Sequence, residues 1–454
     1  MVSLPLWSLF APIAMAQVKW ISSSATSQWN QLPAPAWVQT DEDNPAEVRV
    51  EPRKTFQSID GFGGCFNELG WRALGALPAA EKDRVMQSLF GDEGCGFTMG
   101  RLPIGASDFA LNWYSLDDTP GDLALKHFSI DRDRISLIPF VKAAMHVRPD
   151  LKCWGSAWSP PAWMKDNNNY SGGSIRWEPA TLQAYANYLA KWAEAYRGEG
   201  INVFAVFTQN EPNVVNNYAT CVWSGSHLRD FITDYLGPTL RDRKSNIELW
   251  LGTLNDEFVN GRAITVLNDP KANAFITGVS FQYGGKASIG PVSQLYPDKK
   301  LMQSETECAS GDNSWVDAQR LYQLMKHYLD HGANSYFMWN MVLDQTGLSS
   351  WNWRQNAMIT IDQTTRTAKL NGEYYVMRHF SQFVKPGAKR AMVTGIWGDQ
   401  IAFVNPDRSI ALVIGNSAAN ALPIRLSVGG RKGFDTLVVT LPAGSINTFI
   451  IPPL

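Results

Sequence analysis

"INVFAVFTQNEPN", residues 201–213, sets the reading of the whole chain. Six of its residues, 203–208, form an apolar, β-branched and aromatic run. The run then stops on an amide and an acid, Asn210 and Glu211, followed by Pro212. A strand buried on both faces has this composition. Pro212 cannot donate to a strand ladder and so marks the strand's end. It also predicts an extended backbone for Glu211, because proline disfavours the α region in the residue before it.

Working outward, the same pattern recurs. Strand-like segments fall at 58–66, 97–103, 150–156, 201–209, 247–253, 276–282, 299–305 and 333–340. Amphipathic stretches with apolar residues three and four apart lie between most of them, most clearly at 180–197 and 315–331. Eight strands alternating with helices predict an α/β fold of the (β/α)₈ TIM-barrel type. No G-x-G-x-x-G follows the first strand, which disfavours a doubly wound dinucleotide-binding sheet. After Pro386-Gly387 the pattern changes to short alternating runs, such as "IALVIGN" and "TLVVTLP", which predict an antiparallel β module. The segments "VKWISSS" and "AEVRVEP" near the start look alike and are expected to join it. The predicted organisation is a signal peptide over 1–16, an N-terminal β segment over 17–56, a barrel over 57–385 and a β-sandwich-like side domain over 386–454.

Bulk properties narrow the function classes. The 454 residues carry 40 basic and 42 acidic side chains, a net charge of −2, which argues against nucleic acid or anionic membrane as partner. Residues 2–16 are uncharged and end in Ala14-Met15-Ala16 before Gln17. That pattern predicts a cleaved secretory signal and a secreted or periplasmic protein. It is too short for a membrane span, and no other stretch is a candidate. The five cysteines form no CxxC or zinc-like spacing. His327 and His331 stand four apart on a predicted helix, a spacing a metal could use, but no HExxH or H-x-H motif accompanies them.

Chemistry concentrates where the predicted strands end. Arg101 and Asp108 follow the second strand, and Trp158 follows the third. Asn210 and Glu211 end the fourth. Gln282 and Tyr283 end the sixth, Glu305 the seventh, and Trp339 the eighth. In a barrel these ends share one face. Two carboxyl groups there suit glycoside hydrolysis, with one protonating the leaving oxygen and the other attacking the sugar. A protein that only binds carbohydrate on such a fold, and a metal-dependent hydrolase, are the alternatives from other classes.

The ordered set "IDGFGGCFNE", "GRLPIGASDF", "SAWSPPAWMK", "FTQNEPN", "ATCVWSGSHLRDFITDYLGP", "LMQSETEC", "FMWNMVLDQTG" and "YYVMRHFSQFVKPGAKR" resembles glycoside hydrolase family 30 over about residues 56–454. The resemblance implies a barrel with an attached β structure and a retaining β-glycosidase. It needs no cofactor or metal. It implies Glu211 as acid/base, assisted by Asn210, and Glu305 as nucleophile, with Glu307 two positions on as a rival that period-two alternation would point the same way. It implies sugar contacts at Arg101, Asp108, Trp158 and Trp339. Retention implies a carboxyl separation of about 5–5.5 Å. The family's glucosylceramidase-like members carry His-Trp-Tyr after the sixth strand; here Gln282-Tyr283-Gly284 stands instead, so Gln282 and Tyr283 are the expected contacts. The loop 344–356 differs from lipid-handling members, and Trp351 and Trp353 in it suggest a sugar or aglycone platform. A β-glucoside, β-1,6-glucan or glucosylceramide is the expected substrate, with xylan, β-xylosides or β-1,6-galactan as alternatives within the family.

Overall fold

The computed structural model describes residues 17–39, 45–255, 261–430 and 434–453. The signal-peptide reading falls on residues 1–16, outside the described residues. Eight parallel strands close into a barrel: β1 (Gly61–Cys65), β2 (Met99–Ile104), β3 (Lys152–Ala157), β4 (Val203–Phe207), β5 (Glu248–Leu254), β6 (Ile276–Gln282), β7 (Lys300–Glu305) and β8 (Ser335–Asn340). Each predicted segment contains or overlaps one of them. Neighbours pair in chain order and β8 closes on β1, Ser335 opposite Gly61.

The barrel interior is filled with side chains rather than hollow. Met99, Trp154, Phe207, Trp250, Met302 and Phe337 form its packed centre. Trp154 lies on Phe207 at 4.0 Å between ring centroids, and Phe207 on Trp250 at 5.1 Å. Such bulk needs thin walls elsewhere. A Cβ built on Gly63 would come 2.2 Å from the Met99 carbonyl oxygen, so only glycine lets β1 and β2 approach there. The helices Pro179–Gly198 and Trp315–Asp330 bury one face against the strands. The first opens on proline, whose missing N–H costs nothing at that position. In the second, Ser314 accepts from the Asp317 N–H and so caps it.

The side domain is a ten-stranded, mostly antiparallel sheet with its own core, including Val48, Val50, Leu412, Ile414, Leu426 and Phe449. The N-terminal segment is woven through it. Lys19–Ser23 pairs with Ser445–Ile451, and Val48–Ser58 lies between Lys389–Thr394 and Leu422–Val428. His379, on a barrel helix, joins the two units: its ring nitrogens meet Ser23 Oγ at 2.9 Å and Thr448 Oγ1 at 2.8 Å. Burial depresses this imidazole to about 3, so it is neutral and can satisfy both hydroxyls. All five cysteines are buried free thiols. Among the described residues no helix is long and apolar enough to cross a membrane.

Candidate active site

The site is built around one buried guanidinium. Arg101, on β2, is 0 % exposed and rests above the barrel's aromatic centre, its Cζ 5.2 Å from the Trp154 ring centroid and 4.5 Å from that of Trp158. Burying this charge requires partners. Nη1 pairs with Glu305 Oε2, and Nη2 donates to Asn210 Oδ1 at 2.6 Å and Ser156 Oγ at 3.1 Å. Arg101 therefore ties together the ends of β3, β4 and β7.

Asn210 is fixed by the same network. Its Oδ1 also accepts from Thr253 Oγ1 and from Gln282 Nε2, each at 2.8 Å. Three donors on the carbonyl oxygen determine the amide's orientation. Its NH₂ group is thereby turned away from the hub. Gln282 Nε2 also donates to Glu305 Oε2 at 2.9 Å. Glu305 thus takes both a guanidinium and an amide on one oxygen.

Glu211 is held differently. It lies four residues beyond the end of β4 and is 5 % exposed. Asn255 Nδ2 donates to its Oε1 at 3.0 Å, and the Tyr218 hydroxyl donates to its Oε2 at 3.4 Å. The extended backbone expected before Pro212 is not what forms: Glu211 has φ +41°, the left-handed region. The local preference is overridden by tertiary hydrogen bonds. Glu211 N–H donates to the Thr253 carbonyl at 3.0 Å, Asn210 N–H to that of Ala157 at 2.8 Å, and Trp223 N–H to that of Pro212 at 2.9 Å. A non-glycine residue held at positive φ costs about 1–2 kcal/mol, and such strain clusters at functional sites.

Asp108 completes an acidic trio. Its Oδ2 accepts from Trp339 Nε1 at 3.2 Å, and its buried Oδ1 has no partner. Trp158 and Trp339 lie 5.3 Å apart at 30°, making an aromatic corner beside it. Three buried carboxyl groups surround one guanidinium, so they cannot all be ionised. Burial, then the charges of Glu305 and Asp108, pushes Glu211 up to about 8. Burial, then Glu305, pushes Asp108 up to about 8. Burial also raises Glu305, but the charge and hydrogen bond of Arg101 oppose it. The ion pair makes Glu305 the preferred seat of the negative charge, while Glu211 is the better place for a proton.

The domain models now decide the family. The description "Glycosyl hydrolase family 30 TIM-barrel domain" matches residues 59–384, and "Glycosyl hydrolase family 30 beta sandwich domain" matches residues 387–449. The chain belongs to glycosyl hydrolase family 30. It is a glycoside hydrolase. Among its relatives, mouse lysosomal acid glucosylceramidase is 29 % identical over 437 residues, covering 89 % of this chain and 83 % of the relative. An endo-1,6-β-D-glucanase of Neurospora crassa is 26 % identical over 438 residues, covering 92 % and 88 %. The crystal structure of SrfJ from Salmonella typhimurium superposes with a TM-score of 0.89 at 28 % identity, covering 97 % of this chain and all of that one.

Other residues of this family 30 chain stand further out. Tyr283 begins a short 3₁₀ turn after β6, and burial followed by the charges of Glu211 and Glu305 raises its hydroxyl, which stays protonated. Trp351 stacks on Trp113 at 6.1 Å at the rim, not against the acids, and Trp353 is edge-on to Tyr218. Glu307 is exposed, two residues beyond β7. His327 and His331 each meet a backbone carbonyl, at 2.8 and 2.7 Å, and no group of three metal-capable side chains forms among the described residues. Thr253, Asn255, Tyr218 and Ser156 were not singled out in the sequence. The polar ending "GTLND" of β5 is the one available signal for Thr253 and Asn255, since it repeats the habit of the other strands.

Proposed function

We propose that this glycoside hydrolase cleaves β-linked glucosides with retention of configuration, Glu211 acting as acid/base and Glu305 as nucleophile. The observation that carries the reading is the unequal sharing of Arg101. Glu305 holds the guanidinium directly, whereas Glu211 is bonded only to neutral donors. Glu211 thus enters the cycle protonated and gives its proton to the leaving oxygen. Glu305 attacks the anomeric carbon and its charge is consumed in the glycosyl ester. Loss of that charge lowers the affinity of Glu211 for a proton, so it can then take one from water. The NH₂ of Asn210, turned outward by its three-donor carbonyl, suits a sugar hydroxyl, and unpartnered Asp108 Oδ1 suits another.

The β-gluco preference is supported by the glucosylceramidase and endo-1,6-β-D-glucanase names of the relatives. A panel of aryl β-glucoside, β-xyloside and β-fucoside, with β-1,6-glucan, β-1,6-galactan, xylan and glucosylceramide, tests it. Proton NMR of the reducing sugar released from the best glucoside should show the β-anomer first, mutarotating later. First appearance of the α-anomer would establish inversion and remove the nucleophile role.

The pH profile of kcat/KM should be bell-shaped. Activity needs a proton on Glu211 and none on Glu305. Because Glu211 is raised to about 8, the protonated form survives through neutrality and is lost as pH rises through that value. The acid limb is lost as pH falls and Glu305 takes a proton. The limbs belong to the carboxyl cluster of Asp108, Glu211 and Glu305 as a whole. An alkaline limb near the ordinary glutamate value of about 4.3 would contradict the assignment.

A further inference from the structure

A wide cavity lies beside the two glutamates rather than over them. It is a groove of ≈ 1790 Å³, and its wall includes Asn213, Asn255, Tyr283, Lys286, Glu307 and Arg320. These residues come from the segments that follow β4, β5, β6 and β7. The volume exceeds the roughly 300–1,000 Å³ typical of a pocket for one small ligand. Most residues of its wall carry polar or charged side chains, with Val316, Leu321 and Leu324 as apolar interruptions. By contrast, the exposed apolar side chains Leu111, Trp113, Leu348 and Trp353 stand on segments after β2 and β8.

The groove has a direction. Asn255, in its wall, donates to Glu211 Oε1 at 3.0 Å, and Asn213 Nδ2 donates to the Asn255 carbonyl at 3.2 Å. Its head therefore lies at the acid/base residue, where the leaving oxygen must sit. Asp108, Trp158 and Trp339, which close the other side, are buried and lie outside its wall. Lys286, Glu307 and Arg320 present exposed charged side chains along the wall. Sugar hydroxyls both donate and accept and can pair with such groups along a chain, whereas a lipid tail offers no polar group.

We propose that this groove binds the leaving-group end of a gluco-oligosaccharide over several sugar residues, so that the enzyme prefers a glucan chain to a lipid glucoside. The proposal rests on the assignment of Glu211 as acid/base. The test compares kcat/KM for an aryl β-glucoside, β-1,6-gluco-oligosaccharides of two to six residues, and glucosylceramide in detergent micelles. Wild-type kcat/KM should rise about tenfold or more from disaccharide to tetrasaccharide, the scale of one or two added hydrogen bonds. Lys286→Ala and Glu307→Gln, both at exposed side chains, should shrink that length gain severalfold. The readout is the ratio of tetrasaccharide to aryl glucoside, which a general loss of folded enzyme does not move. An active aryl β-glucosidase with no length gain, or one preferring glucosylceramide to the tetrasaccharide, overturns the groove assignment alone. Failure to cleave any β-glucoside overturns the functional reading with it.

Discussion

Glu305→Ala is expected to lower kcat on a β-glucoside by roughly 10⁴- to 10⁶-fold, the scale on which deletion of a hydrolase nucleophile acts. Azide should restore turnover of an activated aryl β-glucoside, and the product should be the α-glycosyl azide. The structure gives a specific reason for rescue. The truncated side chain leaves a cavity beside Arg101, whose Nη1 loses its anionic partner. A small anion is drawn to an uncompensated buried guanidinium. From there azide forms a bond to the anomeric carbon as the aryloxide departs with the bonding electrons. The charge loss also predicts a fall in thermal stability that azide partly reverses. Glu307→Ala is the control. Glu307 is exposed and outside β7, so the variant should retain its aryl-glucosidase activity within a few-fold. An active Glu305→Ala enzyme, together with α-azide from Glu307→Ala, would move the nucleophile by two residues.

Much of this arrangement was legible in the sequence, for a physical reason. A parallel barrel strand is buried on both faces and reads as an unbroken apolar run. Polar residues gather where the run opens onto the barrel's C-terminal face, so "VFAVFTQNE" and "KLMQSE" mark both a strand and the end that faces the candidate site. The contribution of Thr253 to Asn210 was not legible because 43 residues separate the two, and that of Tyr218, close in sequence to Glu211, was not legible because it stands in a loop where no strand or helix period marks its direction. Arg101 illustrates the same limit. The resemblance groups it with sugar contacts, yet it is fully buried and directs its donors to Glu305, Ser156 and Asn210. Depth in the barrel is a tertiary quantity that a strand pattern does not carry. The small sheet of Val342–Asp344, Ile359–Asp362 and Thr367–Leu370 was also missed. Its strands are three or four residues long, too short for alternation to show. The backbone of Glu211 is the sharpest departure. Proline chemistry favours extension, and the hydrogen bonds to the β3 and β5 ends impose positive φ instead.

That strained position frames the second large effect. Glu211→Ala should slow hydrolysis of a glucoside with a poor leaving group by about 10²- to 10⁴-fold, the usual contribution of a general acid. A dinitrophenyl β-glucoside, whose aryloxide leaves without a proton, should still glycosylate Glu305. Deglycosylation then lacks its base, so the glycosyl-enzyme should accumulate after a burst of aryloxide. Azide needs no deprotonation and should attack that intermediate from the side Glu211 occupied, giving the β-glycosyl azide, the opposite stereochemistry to the Glu305 variant. Alanine keeps the Cβ that makes φ +41° unfavourable, so loss of the carboxyl rather than relief of strain governs the result. Glu211→Gly separates the two. It relieves the strain at the same position, and should show the same leaving-group dependence and β-azide product as alanine. If loss of backbone strain were the cause instead, glycine and alanine would differ in kcat. A Glu211→Ala enzyme that slows good and poor leaving groups equally, with no burst and no azide adduct, would defeat the acid/base assignment.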